Sequence, residues 1–92
     1  ITFHGPDGLM LKRVVAVGGD TFEMDDSVVI VNGVRLEEPY VDERTLDGVF
    51  HHQVEVQEGQ VFVLGDNRFD SIDSRTFGPV DESDIVGKVI RP

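Results

Sequence analysis

The amino-acid sequence predicts an all-β fold: a compact antiparallel β domain, either a barrel or a folded sheet, with one long irregular excursion. Three observations support this prediction. Short runs of β-branched and aliphatic residues recur along the 92 residues, Gly- and Asn-containing turn signals separate them, and no run carries the capping signals of a helix longer than a turn or two. About six strands account for the pattern, and residues 1–92 are interpreted as a single domain.

The first half of the chain carries the strongest strand signals. Residues 9–17 (LMLKRVVAV) are predicted to form one strand that ends at the turn Gly18-Gly19-Asp20. A short strand over 21–24 follows. The runs VVIV and VRLE flank Asn32-Gly33, which favours a two-residue hairpin because both residues tolerate the positive φ angles of a type I′ turn.

The second half begins with the predicted excursion. Residues 37–50 (EEPYVDERTLDGVF) show no clean period and contain proline, glycine and several acids, so they are expected to run over the surface. Strands are predicted again at 53–56, 61–64 and 85–90. The acidic segment 81–84 is predicted to form one helical turn.

Composition and charge exclude several classes of function. Eighteen acidic against eight basic residues give a formal net charge of −10, which argues against a nucleic-acid partner because the phosphates would be repelled. The absence of cysteine excludes a disulfide framework and a thiolate metal site. No apolar run approaches the roughly 20 residues of a membrane helix, and the chain begins at ITFHG without a Met or a signal segment. The sequence is therefore interpreted as an excerpt.

Lys12 stands in an apolar strand pattern. On a single strand, Met10, Lys12, Val14 and Ala16 share one face. Because burial disfavours an ammonium ion, a lysine so placed can act as a general base toward a hydroxyl nucleophile. The alternative is a lysine at a strand edge that keeps its ammonium group in water. Arg13 stays protonated and is expected to pair with a carboxylate.

A dense polar segment, GDNRFDSIDSRTFGPV (residues 65–80), follows the apolar run VFVL. Its matched acids, arginines and serines indicate side chains that bind one another. A calcium loop does not fit, because the spacing of its aspartates is wrong and arginines would repel a cation. Ser74 is expected to brace the segment by bonding to backbone. Elsewhere, His51 and His52 are interpreted as surface residues that point to opposite faces of a strand, not as metal ligands.

The two segments together closely resemble bacterial type I signal peptidase. Lys12-Arg13 precedes a strand and Gly19-Asp20, and residues 65–80 match GDNR-x-x-S-x-D-S-R-x-F-G-P-V; the resemblance runs from about Leu11 to the end of the chain. It implies a membrane-anchored serine protease on the extracytoplasmic face of the cell membrane, with a Ser–Lys dyad and without metal or cofactor. Its partners would be the signal peptides of exported preproteins, cleaved after small residues, and the membrane surface. The fragment itself is expected to be soluble.

The resemblance also assigns roles to individual residues. Lys12 matches the general base, and Ser71 matches the serine whose hydroxyl orients that lysine. Asp73 and Arg75 match an ion pair that supports the site, with Arg13 close enough to join it. The turn that positions the orienting serine is matched by four consecutive residues, Gly65, Asp66, Asn67 and Arg68.

Two departures separate the chain from the family pattern. Ala16-Val17-Gly18-Gly19 stands where Gly-Leu-Pro-Gly is usual, a change expected to affect the turn and not the chemistry. The Ser-Met-x-Pro-like segment that carries the nucleophile is not among these 92 residues, so the chain is expected not to cleave alone. Ser71 as the nucleophile is an alternative interpretation. The rival function is a non-catalytic binding or assembly module that kept the scaffold.

Overall fold

A computed structural model describes residues 1–6, 8–38, 50–66 and 72–88. Within these ranges the chain forms three small sheets in which every strand pair is antiparallel. Helical structure in the same ranges is confined to one four-residue helix and one 3₁₀ turn. The predicted all-β, antiparallel class is therefore confirmed, whereas most of the predicted excursion over 37–50 lies outside the described residues.

The sheets are built from ten strands within the described ranges. The first sheet has the order β10 (Ile85–Gly87), β1 (Thr2–Gly5), β2 (Gly8–Leu11). The second has the order β3 (Arg13–Val17), β8 (Gln60–Leu64), β9 (Val80–Asp81). The third has the order β6 (Val34–Arg35), β5 (Val28–Val31), β4 (Thr21–Asp25), β7 (His51–Glu55). Helix α1 (Ser74–Phe77) precedes β9, and the 3₁₀ turn (Glu82–Asp84) follows it.

Strand β8 is the central element, because its residues face two separate hydrophobic clusters. Phe62 and Leu64 belong to the first cluster, and Val61 and Val63 belong to the second. All four side chains are buried, which explains why this strand reads as the continuous apolar run VFVL without alternation. The first cluster also contains Ala16, Phe22, Met24, Val29 and Val56, and the second contains Phe3 and Val80.

The predicted single strand over 9–17 is wrong, because the chain changes sheets at Lys12. The preceding residues pair with β1 and the following residues pair with β8. At the junction the Lys12 N–H donates to the Ile1 carbonyl at 3.1 Å, and the Lys12 carbonyl accepts from the Ile1 amino group at 2.9 Å. Two different pairing partners therefore divide one apolar run into β2 and β3.

A bulge in β3 also changes the predicted faces. The register with β8 shifts between Val14 and Ala16, and an extra residue in one strand turns the following side chains. Met10 and Val14 both pack against the second cluster, as a shared face requires. Ala16 instead lies in the first cluster. Met10 and Val14 thus share a face as predicted, whereas Ala16 does not share it.

Two predicted turns are present in the structure, and three short elements were missed. The Asn32-Gly33 hairpin is confirmed, with φ angles of 54° and 79° and with Val31 directly opposite Val34. The helical turn at 81–84 is confirmed as the 3₁₀ turn. Three short elements, β1, α1 and β9, were not predicted. They are too short for a periodic signal, and long-range pairing stabilises β1 and β9.

The turn before β4 depends on two glycines. The Asp20 N–H donates to the Val17 carbonyl at 2.9 Å, and Gly19 has a φ of +92°, a conformation that glycine adopts without strain. A Cβ at Gly18 would lie 2.9 Å from the Cα of Glu58. Glycine at this position therefore permits a close backbone approach as well as a turn.

Asn32 ties that turn to the hairpin. Its side-chain nitrogen donates to Asp20 Oδ1 at 2.9 Å, and its side-chain oxygen accepts from the Thr21 N–H at 2.9 Å. Asp20 Oδ2 accepts from the Val17 N–H at 3.0 Å. The backbone bond from Val17 and the side-chain bond from Asn32 lower the pKa of Asp20 below its ordinary value. One asparagine thus joins two turns.

Asn32→Ala is expected to destabilise the chain by about 2 kcal/mol, because it removes two exposed hydrogen bonds and places a Cβ-bearing residue without a polar side chain at positive φ. Urea unfolding followed by far-UV circular dichroism measures the change. Asn32→Gly is the matched control: it loses the same hydrogen bonds but tolerates the backbone angle, so about half of the loss should remain. Equal loss in both variants would contradict the backbone contribution.

None of the helices in the described ranges combines the length and the apolar character required to cross a membrane.

Candidate active site

Lys12 and the polar segment meet at one end of the β3–β8 pair. Arg13 lies opposite Leu64 in this antiparallel register. The next residues along the two strands are Lys12 and Gly65, so both leave the pair at the same end. Lys12 is half-buried and Gly65 is buried. The local fold therefore brings the candidate base next to the start of the segment 65–80.

Asp73 is the buried anchor of that segment. Its side chain is fully buried and accepts two bonds from the Arg75 guanidinium, Nε to Oδ1 at 2.9 Å and Nη2 to Oδ2 at 2.7 Å. The Arg75 N–H adds a third bond to Oδ1 at 3.1 Å, and the Gly65 N–H adds a fourth to Oδ2 at 2.9 Å. Such a bidentate pair fixes both partners in space, and the Gly65 bond connects it to the end of β8.

Asp73 stays ionised although its side chain is buried. Burial alone raises the pKa of this carboxyl, but the hydrogen bonds and positive charge of Arg75 and the Gly65 N–H outweigh it. The pKa of Asp73 therefore lies below its ordinary value of 3.8. At neutral pH the residue is a carboxylate, and its ion pair with Arg75 is intact.

Helix α1 is fixed to β8 at a second point. Ser74 is buried, and its Oγ accepts from the Val63 N–H at 2.9 Å, so the predicted bond to backbone is confirmed. Asp73 is the N-cap of this helix, and Gly78 ends it at a φ of 85°. The Asp-to-Gly spacing is the sequence signal that could have located α1.

Arg13 pairs with a carboxylate, as its permanent charge predicted, and the partner is Asp66. Nε donates to Oδ1 at 2.9 Å and Nη2 donates to Oδ2 at 3.1 Å. The resemblance placed Arg13 near Asp73 and Arg75, whereas the bidentate contact joins it to Asp66, the first acid of the segment. These side chains remain 26% and 43% exposed, so the pair contributes at most about 1 kcal/mol and mainly positions the segment beside Lys12.

Three residues with predicted roles, Asn67, Arg68 and Ser71, lie outside the described residues. Their assignments stay predictions, as does that of Lys12 as a base. Over the ranges that are described, no group of three or more His, Asp or Glu side chains is arranged to hold a metal ion. Within the described residues, the site thus consists of a strand-end lysine, a buried Asp–Arg pair and a partly exposed Arg–Asp pair.

His51 and His52 do not point to opposite faces, which corrects the prediction. Their rings stack with centroids 4.4 Å apart, and His51 also contacts Phe22 and Phe62 edge-on. The reason is a register shift between β4 and β7, where Phe22 pairs with Val54 but Met24 pairs with His51. The extra residue in β7 rotates the strand. His51 is therefore a half-buried packing residue.

Fold and site together define an antiparallel β domain that holds a polar segment against a strand-end lysine. The family model described as signal peptidase, peptidase S26, matches residues 1–92. The chain therefore belongs to the signal peptidase family, which confirms the resemblance found in its sequence.

Individual relatives support this assignment. Signal peptidase I V of Bacillus subtilis is 34% identical over 102 residues, which cover 97% of this chain and 61% of the relative. Signal peptidase I of Bacillus caldolyticus is 38% identical over 91 residues, covering 86% of this chain and 50% of the relative. The crystal structure of a signal peptidase I from Enterococcus faecalis superimposes with a TM-score of 0.83 at 31% identity, covering 98% of this chain and 92% of that one. The chain thus spans about half to three-fifths of the two curated relatives.

Proposed function

We propose that this chain is the part of a signal peptidase that supplies the general base for removing signal peptides from exported preproteins. The observation that carries the proposal is the half-buried Lys12 at a strand end next to Gly65, whose N–H is bonded by the buried Asp73. A lysine serving as a base needs a fixed position and little water. The family membership of residues 1–92 supports the same assignment.

In the proposed mechanism, the side-chain nitrogen of Lys12 takes the proton from the hydroxyl of a serine supplied by the intact protein. The serine oxygen attacks the scissile carbonyl, and Lys12 then passes the proton to the leaving amine, which departs as the peptide bond breaks. Lys12 next takes a proton from water as the water oxygen attacks the acyl-enzyme carbonyl, and it returns that proton to the serine oxygen as the ester bond breaks. Donors near that serine would stabilise the oxyanion.

The other residues have supporting roles in this proposal. Ser71 orients Lys12, and residues 65–68 position Ser71. The Asp73–Arg75 pair fixes the segment to β8, and Arg13 holds it through Asp66. We place the intact protein at the extracytoplasmic face of the cell membrane, with preprotein signal peptides and the membrane surface as its partners.

Ser71→Ala in the intact protein is expected to slow preprotein cleavage strongly, by about 10²-fold, and to leave measurable turnover. An orienting hydrogen bond improves geometry without carrying the chemistry. Single-turnover cleavage, read on gels, measures the rate, and Ser83→Ala, an exposed serine of the 3₁₀ turn, is the control. Complete loss together with loss of the acyl-enzyme would identify Ser71 as the nucleophile.

The proposal as a whole is tested on the gene and on the intact protein. Sequencing upstream of Ile1 should find an apolar stretch of about 20 residues and then a Ser-Met-x-Pro-like segment. Purified intact protein should cleave a preprotein after a small residue, as N-terminal sequencing of the product would show. A missing or replaced serine, with no cleavage, would favour a binding or assembly module.

A further inference from the structure

A groove with a volume of about 260 Å³ lies at the opposite end of β1 from Lys12. Lys12 bonds to Ile1 at one end of the hairpin formed by β1 and β2. The groove begins at Phe3 and reaches Pro6, at the other end of that hairpin. Its second wall comes from Phe77, the last residue of α1, and from Pro79. Three residues of a strand span about 10 Å, so the groove is close to the candidate active site and separate from it.

The floor of the groove is formed by flat apolar rings. The half-buried Phe77 packs against the fully buried Phe3, with ring centroids 6.2 Å apart at an interplanar angle of 50°, and Pro6 and Pro79 also line the groove. Rings of this kind pack well against the aliphatic stem of a long side chain, and aromatic faces also attract cations. The volume is below that of pockets for drug-sized ligands, so it fits a single side chain.

The rim of the groove is acidic. Asp81 and Asp84 line it together with the exposed His4, and neither lysine nor arginine is found among its described lining residues. Asp81 uses Oδ1 to accept from Gln60 Nε2 at 3.0 Å, which leaves Oδ2 available. Asp84 is exposed and has no hydrogen bond or ion pair with the described residues. Two carboxylate groups above an apolar floor complement a cation on an aliphatic chain.

We propose that this groove is a subsite for an arginine or lysine side chain of the preprotein. The identity of the peptide rests on the proposed function, while the chemistry of the groove rests on its own residues. The stem of the basic side chain packs on Phe77 and Pro79, and its charged end pairs with Asp84 and Asp81. An extended peptide that passes Lys12 reaches the groove along the β1 hairpin.

The test is a titration of the ¹⁵N-labelled chain with a short alanine peptide that carries one arginine. The matched probe carries citrulline, which keeps the shape and loses the charge. The arginine peptide should bind about three- to fivefold more tightly, should shift the amide signals of Phe77, Val80 and Asp84, and should weaken with salt. Asp84→Asn should remove most of this preference. Glu82→Gln, which changes the net charge equally within the same 3₁₀ turn, should preserve it.

Equal binding of the two peptides would overturn the subsite, because the groove would then show no preference for a positive charge. Equal loss of the preference in Asp84→Asn and Glu82→Gln would overturn it as well, because the general acidity of the surface would then explain the attraction. In the intact protein, Asp84→Asn should raise KM for an arginine-bearing preprotein about three- to fivefold and leave kcat unchanged. An unchanged KM would contradict the preprotein as the occupant. Because the titration includes no cleavage, absence of peptidase activity would contradict the proposed function and not the groove.

Discussion

Lys12→Ala in the intact protein is expected to reduce preprotein cleavage by at least about 10³-fold, the upper part of the range for loss of a general base. Without the amine, the serine hydroxyl has no group to accept its proton, and the leaving amine has no donor. The fold should persist, because Lys12 contributes its backbone to the junction through Ile1 and a substitution by alanine keeps both bonds. Single-turnover cleavage and thermal unfolding measure the two effects separately.

Two further variants separate proton transfer from charge and from folding. Lys12→Arg places a guanidinium at this position that cannot give up its proton near neutral pH, so it should be as inactive as Lys12→Ala. Lys88→Ala removes the only other lysine of the chain, which is exposed, and should cleave normally. Substantial activity in Lys12→Arg would show that Lys12 contributes a positive charge and is not the base.

The parts of the fold that could be predicted were those set by local chemistry. Asn32-Gly33 specifies its hairpin because few residue pairs tolerate two consecutive positive φ angles. The run VFVL specified a buried strand at 61–64, although which cluster each side chain enters depends on sheets formed by distant residues. The division of residues 9–17 at Lys12 could not be predicted, because it arises from pairing with β1 and β8 and not from any break in the apolar pattern.

In the candidate site, too, the contacts that depend on tertiary packing could not be predicted from the sequence. The acids and arginines of residues 65–80 indicated mutual pairing, and the resemblance indicated which residues mattered. The spacing could not tell that Asp66 binds Arg13 while Asp73 binds Arg75. Nor could it show that Asp73 also bonds the Gly65 N–H. That contact depends on how α1 packs against β8, which is a tertiary arrangement.

Asp73→Ala is expected to destabilise the chain by about 3–5 kcal/mol, as removal of one partner of a buried ion pair does. The variant leaves the Arg75 guanidinium, only 11% exposed, without its carboxylate. It also removes the hydrogen bond from the Gly65 N–H to Asp73 and the N-cap of α1. Since small domains have only about 5–15 kcal/mol of stability, this loss is large enough to unfold a substantial fraction of the molecules. Urea unfolding by far-UV circular dichroism suits a chain without tryptophan.

The second Arg–Asp pair provides the matched control. Asp66→Ala removes the same kind of bidentate contact from Arg13, but at a site that is partly exposed, so it should cost at most about 1 kcal/mol. Asp73→Ala combined with Arg75→Ala should cost less than the sum of the single changes, because no buried charge is left unpaired. Equal costs for Asp66→Ala and Asp73→Ala would contradict burial as the source of the difference.

The pH dependence of stability follows from the lowered pKa of Asp73. A carboxyl whose pKa is lower in the folded chain than its ordinary value of 3.8 stabilises the fold fully above that value. The stabilisation is lost as pH falls from 3.8 through the folded pKa, because the unfolded chain binds the proton first. Asp20 acts in the same direction, but it is exposed to solvent and contributes little. The unfolding free energy of the wild type should therefore fall steeply below about pH 4, and that of Asp73→Ala should fall less steeply. Parallel curves for the two proteins would show that Asp73 is not the titrating group.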